Sequence, residues 1–197
     1  MQLQNVILLM GPPGTGKGTQ SKLLVEKLGY GYFSMGDTFR ELAKQDSELA
    51  RQVKAIIDKG HIVTEDLTIQ VFESSIEKMM DKPGLIIDGF PRTLGQLEML
   101  NELLQKHSVQ NFKVFFLDVD KEKLLHRLSL RSQSQGRVDD ADVAAVEKRF
   151  DEYMTKTAPV KEYYESIGKL IHINGDQAEQ MDESIQKVHE SIMEHLK

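Results

Sequence analysis

A run of apolar residues that ends in a glycine-rich loop constrains this chain more than any other segment. Residues 6–10 read Val-Ile-Leu-Leu-Met, which predicts a strand buried on both faces of a parallel sheet. Residues 11–19, Gly-Pro-Pro-Gly-Thr-Gly-Lys-Gly-Thr, follow at once, and a helical pattern begins at Thr19. Such a loop wraps an anion with its backbone N–H groups, and the helix N-terminus adds the positive end of its dipole. The loop therefore predicts a phosphate-binding site.

Lys17 stands near the end of this loop and is expected to add a positive charge for the outer phosphates of a nucleotide. The alternative is a turn that binds nothing, but such a turn has no need of a Gly-Lys pair at its end. The general pattern places Ser or Thr directly after the lysine as a Mg²⁺ ligand, whereas here Gly18 follows and Thr19 comes one residue later. We therefore expect phosphate oxygens and water to hold the Mg²⁺.

Strand and helix patterns alternate along the rest of the chain. Apolar runs predict further strands at 32–33, 85–87, 114–117 and 170–173. Helical patterns cover 19–28, 37–44, 48–59, 64–80, 94–106, 121–130 and 143–164, and a last helix carries Met181, Ile185, Val188 and Ile192 on one face. Pro159 is expected to kink or split the long helix, and residues 132–136 are expected to form a polar loop. The alternation predicts an α/β fold with helices on both faces of a parallel sheet.

The composition excludes several classes of site and partner. The 197 residues have the length of one domain, and the absence of cysteine rules out disulfides, thiol nucleophiles and zinc sites built on Cys ligands. A net charge of −6 disfavours a general nucleic-acid binder. Because the first apolar run is too short for a signal sequence or a membrane span, we expect a cytoplasmic protein that binds no membrane.

Further motifs follow the phosphate loop in order along the chain. They are Ser34-Met35-Gly36-Asp37 with Arg40, Gly60-His61-Ile62-Val63, Asp88-Gly89-Phe90-Pro91-Arg92-Thr93 with Gln96, Arg137-Val138-Asp139-Asp140, and residues 149–153 followed by Thr157-Ala158-Pro159. Together with residues 11–20, this set resembles the nucleoside monophosphate kinase family, and within it the adenylate kinases with a short lid. The resemblance implies a P-loop NTPase-type three-layer fold with a central parallel sheet of five strands.

The resemblance also implies how a single P-loop kinase domain is divided. A core would comprise residues 1–33, 64–130 and 141–197, a helical insert over 34–63 would bind the nucleoside monophosphate, and a short lid would cover 131–140. The implied reaction is reversible phosphoryl transfer, ATP + AMP = 2 ADP, with Mg²⁺ bound to ATP. The lid has neither Cys nor His, so no structural zinc is implied, and we expect a monomer.

Six of the seven arginines, all but Arg51, fall on positions that the resemblance makes functional. It implies catalytic roles for Lys17, Arg92, Arg131, Arg137 and Arg149. It implies that ATP is bound by Gly14, Thr15, Gly16, Lys17, Gly18, Thr19, Arg127, Arg131 and Gln177. It implies that AMP is bound by Met35, Arg40, His61, Ile62, Val63, Gly89, Phe90, Pro91, Arg92, Gln96, Arg137 and Arg149. Asp88 is implied to hold the water ligands of Mg²⁺. Because two nucleotides bring about six negative charges into one cleft, fixed guanidinium groups also meet a physical need of the reaction.

Two residues bear on which base the acceptor nucleotide carries. The amide of Gln96 both donates and accepts, which suits adenine, whereas UMP/CMP kinases have asparagine at this position. Adenylate kinases usually have threonine where this chain has Met35, which packs on a base without a hydroxyl hydrogen bond. A UMP/CMP kinase or another nucleoside monophosphate kinase therefore stays open as the alternative. A non-catalytic nucleotide-binding switch is less favoured, because the chain has no Asn-Lys-x-Asp base-reading motif.

The stretch from Asp140 to Arg149 is one residue longer than the family pattern implies. One residue inserted inside a helix rotates everything after it by about 100°. We expect the loop before Val143 to absorb the extra residue, which keeps Arg149 in place.

Overall fold

The computed structural model describes residues 3–79 and 81–197. Five strands form one parallel sheet: β1 Asn5–Met10, β2 Gly31–Ser34, β3 Gly84–Asp88, β4 Asn111–Asp118 and β5 Leu170–Asn174. Their order across the sheet is β2-β3-β1-β4-β5, so the strand that leads into the glycine-rich loop lies at the centre. The predicted α/β fold with a parallel sheet of five strands is confirmed.

Helices connect these strands. They are α1 Lys17–Leu28, α2 Met35–Leu42, α3 Glu48–Ile57, α4 Glu65–Glu77, α5 Leu94–Lys106, α6 Lys121–Gln135, α7 Val138–Ala141, α8 Val143–Glu152, α9 Ala158–Ser166 and α10 Met181–Glu194, with a π-helical segment at Tyr153–Thr157. Helix α5 has the predicted bounds, and Met80, predicted to end the fourth helix, lies outside the described residues. Across the described ranges, every helix is too short or too polar to cross a membrane.

Polar and apolar residues do not alternate along the central strand β1, because both of its faces are buried. Val6 and Leu8 face one buried hydrophobic cluster, and Ile7 and Leu9 face a second cluster on the other side of the sheet. All four side chains are buried, because helices cover both faces. This packing fixes β1 between its two neighbours and thereby fixes the position of the loop that follows it.

The glycine-rich loop passes into α1 at Lys17, two residues before the predicted start. Gly16 has a φ of 94°, a left-handed conformation that glycine adopts without a steric penalty. The turn at Gly16 lets the helix begin immediately, so Lys17 and Gly18 belong to the first turn. The helix N-terminus therefore points into the loop.

The prediction of a polar loop at 132–136 is wrong for its first four residues. Helix α6 continues through Gln135 and ends where Gly136 adopts a φ of 62° and donates its N–H to the carbonyl of Ser132. Ser and Gln residues have no apolar periodicity, but nothing in them stops a helix that is already formed. The first helix breaker after Lys121 is Gly136, and the helix ends there.

The long helix predicted over 143–164 is split, as expected, but the split precedes Pro159. Helix α8 ends at Glu152, the π-helical segment follows, and Pro159 lies in the first turn of α9. Proline has no N–H and its ring clashes with the carbonyl four residues earlier, so an unbroken α-helix cannot pass through it. The wider π turn absorbs this conflict ahead of the proline.

Candidate active site

The carboxyl ends of the strands open into a cleft of about 1000 Å³. Ligands of open parallel sheets bind at this edge. The predicted phosphate-loop residues all line the cleft: Gly14, Thr15, Gly16, Lys17, Gly18 and Thr19. So do the six arginines singled out from the sequence: Arg40, Arg92, Arg127, Arg131, Arg137 and Arg149. The fold thus brings together residues that lie more than a hundred positions apart in the chain.

Lys17 spans the loop from which it projects. Its Nζ donates to the carbonyl oxygens of Gly11 at 2.8 Å and Pro12 at 2.9 Å. Burial in the cleft lowers the pKa of Lys17 to about 8, and the nearby carboxylate of Asp88 opposes that shift. The lysine is therefore held beside the anion-binding backbone, with a proton that it loses more readily than an exposed lysine does.

Asp88 ends β3 and is buried beside the phosphate loop. Burial raises the pKa of its carboxyl group, and Lys17 and Arg92 counteract this. A Cβ atom on Gly18 would lie 3.5 Å from Asp88 Oδ2, so the position where the general pattern has a hydroxyl faces this carboxylate directly. A carboxylate oxygen is a hard ligand, so Asp88 fits a Mg²⁺ that arrives with phosphate and keeps most of its waters.

Tyr32, on the edge strand β2, reaches the cleft. Its hydroxyl lies 3.5 Å from Asp88 Oδ2 and 3.4 Å from Asp37 Oδ2. Burial and these two carboxylates raise the pKa of Tyr32, so it remains a neutral donor between them. An edge strand exposes alternate side chains to the cleft, which the short run at 32–33 did not reveal.

A buried carboxylate organises the arginines of the lid region. Asp140 accepts from Arg131 Nε at 2.6 Å and Nη2 at 2.8 Å, and also from Arg149 Nη1 at 2.5 Å. Arg149 reaches Asp139 Oδ2 at 2.9 Å as well. Burial alone raises the pKa of Asp140, but the hydrogen bonds and charges of Arg131 and Arg149 hold it below its usual value. Asp142 lies between α7 and α8 in an extended conformation, so the helix that carries Arg149 starts only at Val143.

The other arginines are positioned from the core and the insert. Arg92 donates from Nε to the carbonyl of Gly89 at 2.7 Å, and burial together with Arg149 lowers its pKa to about 10. Arg40 pairs with Asp37 on α2, whose first turn is capped by Ser34. Arg137 Nη2 lies 3.6 Å from the same carboxylate, so Asp37 connects the predicted insert at 34–63 with the predicted lid at 131–140.

Sequence reasoning assigned no role to three of these acidic residues. Asp139 and Asp140 were part of a quoted motif, and Asp37 stood in another, but only the structure identifies them as partners of the arginines. Glu152 was missed in the same way: it is buried and lies 3.2 Å from His61 Nδ1. The signal that could have found these acidic residues is the cluster of arginines itself. Positive charges placed close together need negatively charged side chains nearby as counter-ions.

A smaller cavity of about 60 Å³ opens beside the cleft. Its lining includes Met35, His61, Ile62, Val63, Gln96, Arg92 and Arg149, all predicted to bind the acceptor nucleotide. Gln96 is 1% exposed, and its Oε1 accepts from the backbone N–H of Arg92 at 2.7 Å. That bond fixes the orientation of the amide, which leaves Nε2 as a donor and one lone pair of Oε1 as an acceptor. Gly89, Phe90 and Pro91 line the adjoining part of the main cleft.

The far end of the cleft, beyond the phosphate loop, is apolar. Arg127, Leu130, Met181, Ile185 and Val188 line it. Gln177 does not line the cleft: its Nε2 donates to the carbonyl of Asn174 at 2.9 Å and to the hydroxyl of Ser191 at 3.0 Å. The predicted face of the last helix therefore has two parts, with Met181 and Ile185 at the cleft and Ile192 in the core.

Comparisons with known proteins agree with this site. The family model described as adenylate kinase matches residues 9–169. Adenylate kinase of Bacteroides fragilis is 40% identical over 169 residues, which cover 86% of this chain and 89% of that protein. The enzymes of the same name from Flavobacterium psychrophilum and a Cyanothece species are 40% and 39% identical, over 86% and 88% of this chain and 89% and 88% of their own lengths. A phosphate loop, a surrounding cluster of arginines and a match over most of the chain lead to one conclusion: the chain belongs to the adenylate kinase family.

Proposed function

We propose that this protein catalyses reversible phosphoryl transfer from Mg²⁺-bound ATP to AMP, giving two ADP, and so serves adenine nucleotide homeostasis. One observation carries the proposal: a single cleft joins the phosphate loop to a cluster of arginines and to a separate pocket around buried Gln96. Two phosphorylated substrates need one shared charged centre and two separate places for their bases. Membership of the adenylate kinase family supports the same reaction.

In the proposed donor site, the backbone N–H groups of residues 14–19 and the ammonium of Lys17 bind the phosphates of ATP. Lys17 contacts two carbonyl oxygens of its own loop, and a phosphate oxygen would replace one of them as a stronger, charged acceptor. The base would then extend toward Arg127 and the apolar end of the cleft.

In the proposed acceptor site, Arg40 and Arg92 bind the phosphate of AMP. The base would occupy the smaller cavity, where Gln96 offers one donor and one acceptor and Met35 packs against the ring. His61, Ile62 and Val63 come from the end of the insert and form the wall of this cavity. Gly89, Phe90 and Pro91 connect it to the phosphate centre.

Transfer needs no covalent intermediate with the protein. An oxygen of the AMP phosphate bonds to the terminal phosphorus of ATP as the bond to the bridging oxygen breaks, which leaves ADP on each side. When bound, Mg²⁺ neutralises phosphate charge, and Asp88 would hold its water ligands. Lys17, Arg92, Arg131, Arg137 and Arg149 would stabilise the charge that spreads over the migrating group. Carboxylates hold Arg131, Arg137 and Arg149 in place before the substrates bind, and backbone carbonyl oxygens hold Lys17 and Arg92.

We also propose that the insert at 34–63 and the lid at 131–140 close over the two nucleotides. The contact between Asp37 and Arg137 joins these two segments in the structure. Closure would exclude water from the transferring group and so suppress hydrolysis of ATP.

A coupled kinase assay with ATP against AMP, CMP, UMP and GMP tests the proposal. We expect AMP to give the highest kcat/KM. Because Met35 supplies no hydroxyl, CMP and UMP are expected to react detectably but less well. A higher kcat/KM for CMP or UMP than for AMP would assign the chain to the UMP/CMP kinases instead. No transfer to any acceptor would overturn the proposal.

A further inference from the structure

The guanidinium of Arg127 is held by the loop that follows β5. Both of its Nη atoms lie 3.2 Å from the carbonyl oxygen of Gly175, and Nη2 lies 3.2 Å from Asp176 Oδ1. The side chains of Arg127 and Asp176 are 13% and 18% exposed. A planar guanidinium with acceptors on two neighbouring residues has little freedom to rotate.

Asp176 is itself fixed from several directions. Its second carboxylate oxygen pairs with Lys123 on α6, and its backbone N–H donates to Asn174 Oδ1 at 2.9 Å. The preceding residue, Gly175, donates its N–H to the carbonyl of Asp118 at 2.7 Å. The carboxylate that holds Arg127 is therefore attached to the sheet on one side and to α6 on the other.

Arg127 borders the apolar end of the cleft, whereas Asp176 does not line the cleft at all. Leu130, Met181 and Val188 line the same cleft and offer apolar surface for the ring of a base. Guanidinium groups stack on aromatic rings face to face, and that arrangement is most favourable when the plane is fixed in advance. Asp176 holds the guanidinium of Arg127 from outside the lining of the cleft.

We propose that Asp176 is a positioning residue for the donor nucleotide, which holds the plane of Arg127 so that the base of a nucleoside triphosphate stacks on it. The inference rests on the proposed function only in placing the donor base at this end of the cleft. An ion pair that merely stabilised the loop would change the Tm and leave the affinity for ATP unaltered. The two roles therefore differ in a measurable way.

The test is the Kd for Mg²⁺-bound ATP, measured by calorimetry without an acceptor, together with KM and kcat in the coupled assay. Asp176→Ala is expected to raise the Kd and the KM for ATP about three- to tenfold, which is the range for loss of one partly exposed ion pair acting through a second residue. The KM for AMP and kcat are expected to stay within about twofold. Asp176→Asn keeps an acceptor oxygen and is expected to give a smaller rise.

A double-mutant cycle separates positioning from stability. In an Arg127→Leu background, Asp176→Ala is expected to cause no further rise in the Kd for ATP, because the residue through which it acts is gone. Glu183→Gln is the matched control, since it removes a carboxylate from an exposed pair with Lys187 on α10 and leaves Arg127 untouched. This control is expected to leave the Kd for ATP unchanged.

Two results would overturn the inference. One is an unchanged Kd for ATP in Asp176→Ala; the other is an Asp176→Ala rise in the Kd for ATP that is as large in the Arg127→Leu background as in the wild type. Neither result affects the proposed function if the wild-type protein phosphorylates AMP. Conversely, a wild-type protein that binds ATP but transfers no phosphoryl group removes the proposed function, and the binding measurement still decides the role of Asp176.

Discussion

The proposed phosphate centre of the cleft and the proposed acceptor-base pocket beside it are built from different kinds of interaction. At the centre, charged groups are paired with one another, as Arg131 and Arg149 are with Asp140. In the pocket, the buried side chain of Gln96 on α5 is neutral. It is held by one hydrogen bond from the backbone of Arg92, and Met35 lines the same cavity. One region is arranged for charge and the other for shape and a pair of hydrogen bonds.

The difference teaches how the two regions share the work of an adenylate kinase. Coulomb interactions act over several ångströms and do not depend on which base is attached, so the proposed centre would accelerate transfer for any nucleotide that reaches it. Hydrogen bonds and packing act only at contact, so the proposed acceptor-base pocket would discriminate between bases. Variants of the centre are therefore expected to change turnover, and variants of the pocket are expected to change selectivity.

The largest effect is expected at the centre, from Lys17→Met. Loss of one positioned charge in a site that excludes water is expected to lower turnover about 100-fold or more, while the Tm stays close to that of the wild type. The measurement is kcat with ATP and AMP, together with thermal unfolding. Lys27→Met, on the exposed end of the same helix, is the control and is expected to retain full activity. Near-normal turnover of Lys17→Met would remove the loop from the donor site.

Gln96→Leu is expected to affect selectivity more than turnover. Loss of the paired donor and acceptor is expected to weaken discrimination by about 1–3 kcal/mol, which narrows the kcat/KM ratio of AMP to CMP roughly 5- to 150-fold. The change should arise from a higher KM for AMP. Gln105→Leu, at an exposed position of the same helix, is expected to leave the ratio unchanged. An unaltered ratio in Gln96→Leu would exclude this residue from base recognition.

The kcat/KM for ATP and the AMP-to-CMP selectivity are expected to respond differently to pH. Burial lowers the pKa of Lys17 from 10.5 to about 8, so the free enzyme loses this charge as the pH rises above that value. Because kcat/KM reports the free enzyme, its value for ATP is expected to fall about tenfold per pH unit in the range above the pKa. The AMP-to-CMP ratio should stay constant, since Gln96 does not titrate. A Lys17→Arg variant, which stays charged, should lack the decline; the same decline in that variant would assign it to another group.

The smallest effect is expected from Met35→Thr. Met35 is 2% exposed and lines the same cavity as Gln96, where its side chain offers no hydroxyl group for a hydrogen bond. Its replacement is expected to change kcat/KM for AMP within about threefold and to leave the preference for AMP intact or sharper. Steady-state kinetics with AMP and CMP provide the measurement. A drop of more than about tenfold with AMP alone would show that the methionine itself reads adenine.

The sequence predicted the architecture well because its signals are local. The uninterrupted apolar run of β1, the glycines of the loop and the glycines that end α1 and α6 act over a few residues. It failed at 132–135, where polar residues without periodicity continue α6, because the helix was propagated from residues outside that window. It also did not locate the π-helical segment, which accommodates Pro159 from several residues upstream.

What the sequence determined by itself is the family and the parallel sheet, since motif order and strand periodicity are properties of the chain. It also named most of the residues that line the cleft, but Gln177, which it included, does not line it, and Tyr32, which it left out, does. Which groups pair with which was decided only by the tertiary structure. Asp140 lies between Arg131 and Arg149, Glu152 meets His61 across 91 positions, and Asp176 holds Arg127 across 49. Charges pair by distance in space, and no local pattern encodes the distance between segments that only the packed sheet and its helices bring together.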